Sequence, residues 1–186
     1  MFSELAKKCR TSRSFEREQA PTREQLRGFV DIARISASAG NLQRIRYSII
    51  EGEAAKEMFS YIGLGGLLKP EDKPTVNEAA PSYIVLLIPD DKTDTNLYID
   101  VGICAEVIML AAAEKGFSGC MIRNFKTDGV RSLAGAEKFS PALVIAIGKS
   151  RERAVLVDVN EGDSLKYYRE NGNHVVPKLS LDSVIK

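Results

Sequence analysis

Leu26, Phe29, Val30, Ala33 and Ala37 recur at helical spacing between charged residues, which predicts an amphipathic helix with one buried stripe. Thr22 stands at its N-cap and Gln25 at the capping-box position, and the stripe runs out near Gly40. The β-branched and apolar runs Tyr47–Ile50, Tyr83–Ile88 and Leu143–Ile147 read as strands, and their nearly unbroken apolarity predicts a sheet covered on both faces. Between the last two, residues 101–116 are apolar almost all round, with Glu106 as an interior charge. Such a helix belongs at the centre of the fold or of a dimer. Gly116 supplies its stop, and Gly119–Ile122 begins a further strand. Residues 63–74 are rich in glycine, proline and charge and read as a mobile excursion. Helices alternating with strands place the chain in the α/β or α+β class around a central sheet.

Composition narrows the possibilities. A chain of 186 residues is most economically one domain, 1–186, and needs neither metal nor disulfides to fold. Its 26 Lys and Arg nearly balance its 25 Asp and Glu, so no global field favours nucleic acid or an anionic membrane. Cys9, Cys104 and Cys120 are scattered without CxxC spacing, which suits a reducing cytoplasm. No stretch reaches the roughly 18 uncharged apolar residues of a spanning helix, so a soluble, cytoplasmic protein is expected.

Four runs carry candidate chemistry. Cys9-Arg10-Thr11-Ser12-Arg13-Ser14-Phe15 reads on its own as a solvated basic turn. Ser38-Ala39-Gly40-Asn41-Leu42-Gln43 joins small residues to amides, which fits backbone approaching a flat polar ligand and equally fits a helix end capped by Gly40. Gly116 to Phe125, with Arg123 and Asn124, is by itself a helix-to-strand turn. His174-Val175-Val176-Pro177-Lys178 holds the only histidine, whose valine neighbours favour packing over acid–base work. No thiol has the partner of a nucleophile, and Gly63–Gly66 lacks the context of a dinucleotide fingerprint.

Together these runs resemble the nitroreductase family of FMN-dependent oxidoreductases. The N-terminal run is similar to that family's Arg-Arg-Ser-x-Arg-x-Phe, and the second to its Pro-Ser-x-x-Asn-x-Gln-Pro-Trp. The tail is similar to the His-x-Val-Pro-Lys-Arg of one branch. The resemblance implies a nitroreductase-like α+β fold, with a central mixed sheet flanked by helices in an intertwined homodimer. It implies FMN held by Arg10, Thr11, Ser12, Arg13, Ser38, Ala39, Gly40, Asn41, Gln43, Arg123, Asn124 and Lys178. Arg13 would meet the pyrimidine side of the flavin, where charge develops on reduction, and Lys178 the phosphate. Implied too is hydride transfer from NAD(P)H through FMN to a nitroaromatic or quinone in ping-pong order, with no metal and no catalytic side chain. Cys9, Ala37, Arg44-Ile45 and Leu179 depart from the pattern, and two of these remove charge from the phosphate site, so FMN is expected to be held modestly. Another flavin reaction on the same fold, of dehalogenase or ring-oxidase type, stays open. So do a flavin-binding regulatory dimer and a flavin-free scaffold.

Overall fold

The computed structural model describes residues 1–66, 68–91 and 94–186. In chain order the elements are α1 (Phe2–Lys8), β1 (Phe15–Glu16), α2 (Arg23–Arg34), β2 (Arg46–Glu51), α3 (Gly52–Met58), β3 (Ser82–Pro89), α4 (Thr95–Glu114) and β4 (Ser118–Ile122). They continue with α5 (Thr127–Ala134), β5 (Phe139–Ser150), β6 (Arg153–Val159), β7 (Tyr168–Glu170), β8 (Asn173–Leu179) and α6 (Leu181–Val184). The class is α+β: β1, β2, β3, β4 and β5 build one sheet, and β6, β8 and β7 a second.

The central sheet is covered on both faces, as the apolar runs predict. Along β3, Ile84, Leu86 and Ile88 pack against α2 and α4, while Tyr83, Val85 and Leu87 face the opposite core with Met58 of α3 and Val130 of α5. β5 alternates in the same way, with Leu143, Ile145 and Ile147 on the α4 side and Val144 and Ala146 on the other. The strand pairs of this sheet are antiparallel, and among the described residues the parallel pairing expected of a mixed sheet is confined there to one bridge between Thr11 and Gly119.

Two helix boundaries differ from expectation. α2 keeps its predicted capping box, the Thr22 hydroxyl accepting from the Gln25 amide (3.2 Å) and the Gln25 side chain from the Thr22 amide (2.8 Å). It stops at Arg34 instead of running on to Gly40. Ile35 to Ser38 combines β-branching with serines that compete for backbone hydrogen bonds, so Ala37 leaves the stripe and Gly40 turns left-handed in an isolated 3-10 turn. α4 begins six residues before the predicted start, capped by Asp94, whose carboxylate accepts from the Leu97 amide (2.9 Å). That extension makes α4 the one helix among the described residues long and apolar enough to cross a membrane. It carries Asp100 and Glu106 and is more than half buried within the protein. The second sheet, β6 parallel to β8 and β8 antiparallel to β7, was not foreseen. Within the Gly- and Pro-rich excursion a 3-10 turn at Pro70–Asp72 is described, a second follows it at Val76–Glu78, and Leu67 lies outside the described residues.

Candidate functional site

α1 ends at Lys8 with Cys9 as its C-cap, and the next residues form an arm laid along β4. Ser12 donates its amide to the Gly119 carbonyl (2.9 Å), beside the Thr11–Gly119 bridge. Gly119 permits this close packing: a Cβ there would stand 2.6 Å from Met109 Sδ and 2.7 Å from the Ala146 carbonyl oxygen. Between the arm, α1 and the ends of β4 and β5 lies a cavity of about 210 Å³. Lys7, Lys8 and Arg10 bring positive charge to it, and Thr11, Ser118 and Ser150 bring hydroxyls. Arg10 donates from Nη2 to the Ala6 carbonyl (2.8 Å), but its Nε is buried without a partner among the described residues. Leaving such a donor unpaired costs about 1–3 kcal/mol. Glu152 also lines the cavity, but its carboxylate is already engaged by Arg169 and the Arg13 amide, so the three cations leave the lining net positive. Ser12 is buried, its hydroxyl within reach of Ser150 Oγ (2.7 Å), the Ser14 carbonyl (3.1 Å) and Glu152 Oε2 (3.3 Å), so its side chain is engaged by the protein itself.

Arg13 joins the tail. Its amide donates to Glu152 Oε2 (2.7 Å), its guanidinium lies 4.8 Å from the Tyr167 ring centre, and its Nη1 is 3.4 Å from His174 Nε2. Because arginine only donates, Nε2 accepts and the imidazole proton sits on Nδ1, which is buried and unpartnered. Burial lowers the His174 pKa, with Arg13 and Arg169 adding in the same direction against the opposing pull of Glu152. A depressed histidine pKa means the unfolded chain takes the proton first. Stability should therefore be full above about pH 6.5 and decline as pH falls below it. In His174→Gln, thermal melts between pH 5 and 8 should lose that component, and an unchanged pH profile would contradict the assignment. Arg13 also borders a larger polar cavity of about 350 Å³, with Arg151, Glu152 and Arg169 on one side and the Glu71–Glu78 segment on the other.

Glu152 is the residue that sequence reasoning missed. Its side chain is 5 % exposed, and it ties Ser12, the Arg13 amide and Arg169 together. It lies in no motif and follows a β-strand end, so only the tertiary contacts reveal it.

The tail does not bring all its residues to the arm. His174 pairs with Ala154, which lines the Arg10 cavity, whereas Lys178 pairs with Asp158. That is four positions further along the ladder, roughly 13 Å at about 3.3 Å per residue. Within one chain Lys178 therefore stands away from the cation cluster.

The Ser38–Gln43 turn sits elsewhere on α4. Gly40, Asn41 and Gln43 have φ of 56, 54 and 47°, the left-handed region, which for the two non-glycine residues costs of order 1–2 kcal/mol each. The Ala39 amide donates to the Asp100 carboxylate (3.0 and 3.3 Å), the Gln43 amide to Ser38 Oγ (3.3 Å), and Gln43 Nε2 to Asn41 Oδ1 (3.0 Å). Asp100 lies six residues, about 9 Å of helix rise, before Glu106, where Cys9 Sγ approaches at 4.0 Å. The arm and the turn thus occupy different stretches of one helix. Beside the turn, α4 exposes Ile99 and Ile103, Tyr98 is exposed on the same helix, and Leu42 adds to the same kind of surface.

Arg123 and Asn124 follow β4. Arg123 donates to the Ala142 carbonyl (2.8 Å) and lies over the Tyr98 ring at 5.5 Å, and the Asn124 carbonyl accepts from the Gly63 amide (2.8 Å). Burial pushes the Cys9 and Cys120 thiols up to about 11, so neither is a thiolate at neutral pH.

The nitroreductase family model matches residues 6–149. A nitroreductase family protein from Streptococcus pneumoniae TIGR4 shares the fold with a TM-score of 0.71, at 18% identity over 100% of this chain and 99% of its own. A putative nitroreductase in complex with FMN from Exiguobacterium sibiricum gives 0.65, at 16% identity over 82% and 89%. The FMN-dependent nitroreductase NfnB from Mycobacterium smegmatis in complex with NADPH gives 0.64, at 20% identity over 81% and 87%. No curated protein matches the chain. The matched stretch runs unbroken through the arm, the Ser38–Gln43 turn, α4 and the segment after it, and on that evidence the chain belongs to the nitroreductase family.

Proposed function

We propose that this protein is an FMN-dependent oxidoreductase working as a homodimer in the cytoplasm, moving electrons from NAD(P)H to a small acceptor of nitroaromatic or quinone type. The observation that carries the reading is the Arg10 cavity, lined by Lys7, Lys8, three hydroxyls and an arginine whose Nε lacks an acceptor, against one carboxylate, Glu152, that Arg169 already engages. A phosphate monoester supplies the missing acceptor and matches the charge. At about 210 Å³ the cavity suits a phosphate and the start of a ribityl chain, so a flavin ring must extend beyond it. The exposed Tyr98, Ile99 and Ile103 of a second copy offer the apolar cover that a flat ring needs, and burying them gives α4 the partner its composition demands.

In this arrangement Arg10, with Lys7 and Lys8, holds the phosphate end. Arg13 supplies a positive charge toward the pyrimidine edge, and the Ser38–Gln43 turn of the second copy presents its amides to the ring. Lys178, distant from the Arg10 cavity of its own chain, is free to serve the partner's site. When bound, FMN supplies the redox chemistry, taking up two electrons from NAD(P)H and yielding them to the acceptor that replaces it. With no acid–base residue required, acceptor choice rests on stacking and is loose.

The test is spectroscopic. Protein reconstituted with FMN is expected to bleach in the visible under NAD(P)H, to regain colour on addition of a quinone, and to sediment at twice 20.4 kDa. Bound FMN that NAD(P)H never bleaches would favour a flavin-binding regulatory role, and an absence of FMN binding would overturn the proposal.

A further inference from the structure

Asp100 is 3 % exposed, a carboxylate set in a helix that is otherwise apolar over most of its length. Burying a charge there is costly, a cost that an apolar residue of similar size would not carry. Its hydrogen bonds go to one place, the Ala39 amide, where the left-handed turn begins. At the other end of the turn Arg44 grips Asp94 through both terminal nitrogens, at 2.6 and 3.2 Å, and Asp94 is the N-cap of the same helix. Two carboxylates of one rigid element therefore strap both ends of a strained turn. Such strain persists only where the surroundings over-determine it.

We propose that Asp100, with the Arg44–Asp94 ion pair as the outer strap, is a positioning residue that holds the Ser38–Gln43 turn ready for its ligand before the ligand arrives. The role in FMN binding rests on the function proposed above, whereas the strap itself does not. A turn already ordered binds without the entropy loss of being fixed. Asp100 thus acts through Ala39 and touches no reacting atom.

The experiment compares wild type with Asp100→Leu, Asp100→Asn and Arg44→Gln, by amide hydrogen exchange of residues 39–43 in flavin-free protein and by FMN fluorescence titration. Asp100→Leu should melt no lower than wild type, yet exchange those amides at least tenfold faster and bind FMN roughly tenfold more weakly. Asp100→Asn keeps an acceptor oxygen for the Ala39 amide and should stay within about threefold of wild type in both measurements. Arg44→Gln, which leaves the core untouched, should fall between them and decides the question if the leucine variant does not fold. Exchange unchanged in Asp100→Leu and Arg44→Gln, or raised equally in Asp100→Asn and Asp100→Leu, would overturn the strap. Wild type that fails to bind FMN refutes the flavin reading alone, because the exchange comparison still decides the anchor.

Discussion

Arg10→Ala is expected to weaken FMN binding by about 10- to 100-fold while leaving the melting temperature within about 2 °C of wild type. A hydrogen bond to a charged group contributes roughly 1.5–3 kcal/mol, which corresponds to that range of affinity. The fold should lose little, because the side chain makes one protein hydrogen bond, to the Ala6 carbonyl, and removing it also removes a buried donor without an acceptor. Fluorescence quenching of FMN at fixed ionic strength reads the affinity directly. Raising salt should weaken wild-type binding more than that of the variant, since a screened phosphate contact is being compared with one already lost. Equal affinity in wild type and variant would mean that the phosphate does not sit at Arg10.

Gly119→Ala is the second large effect, and here stability and binding should fall together. The added Cβ meets Met109 Sδ at 2.6 Å and the Ala146 carbonyl oxygen at 2.7 Å. The methionine can swing aside, but the carbonyl belongs to the middle of β5 and cannot move without opening the central sheet. Overpacking of this kind costs about 1–3 kcal/mol, a fall in melting temperature of roughly 2–12 °C for a chain of this length. Moving β4 also disturbs the Gly119 carbonyl that receives the Ser12 amide, so the arm loosens and FMN affinity drops in the protein that remains folded. Gly28→Ala is the natural control: its Cβ meets nothing within 4 Å on the interior of α2, and the change should stabilise by up to about 1 kcal/mol. A Gly119→Ala protein that melts with wild type would show that β4 and β5 yield more easily than their packing indicates.

Much of the fold could be read directly. The alternating cores of β3 and β5, the capping box of α2 and the stop at Gly116 follow from local periodicity and from residues that act on their own backbone. The early end of α2 was harder, because the apolar stripe continues through Ala37 while Ile35, Ser36 and Ser38 have already abandoned the helix. The start of α4 was hidden by the polar residues Asp94 to Asn96, which are its cap and first turn rather than loop. β6, β7 and β8 were missed because short strands of a small sheet carry weak alternation, and their pairing depends on partners distant in the chain.

Of the candidate site, the arm and the Ser38–Gln43 turn were singled out by resemblance to the family's motifs, since each alone reads as an ordinary turn, and the family match spans both. Sequence could not show that Arg10 and Arg13 line separate cavities, that His174 rather than Lys178 meets the arm, or that Asp100 and Glu152 accept the backbone amides of Ala39 and Arg13. What the sequence determined by itself is therefore the set of chemical groups and the elements that carry them, because periodicity, capping and turn preference act within a few residues. What only the tertiary structure decided is which of those groups share a space. A hydrogen bond such as Arg13 to Glu152 joins residues 139 positions apart, and nothing in the local pattern of either one encodes the other.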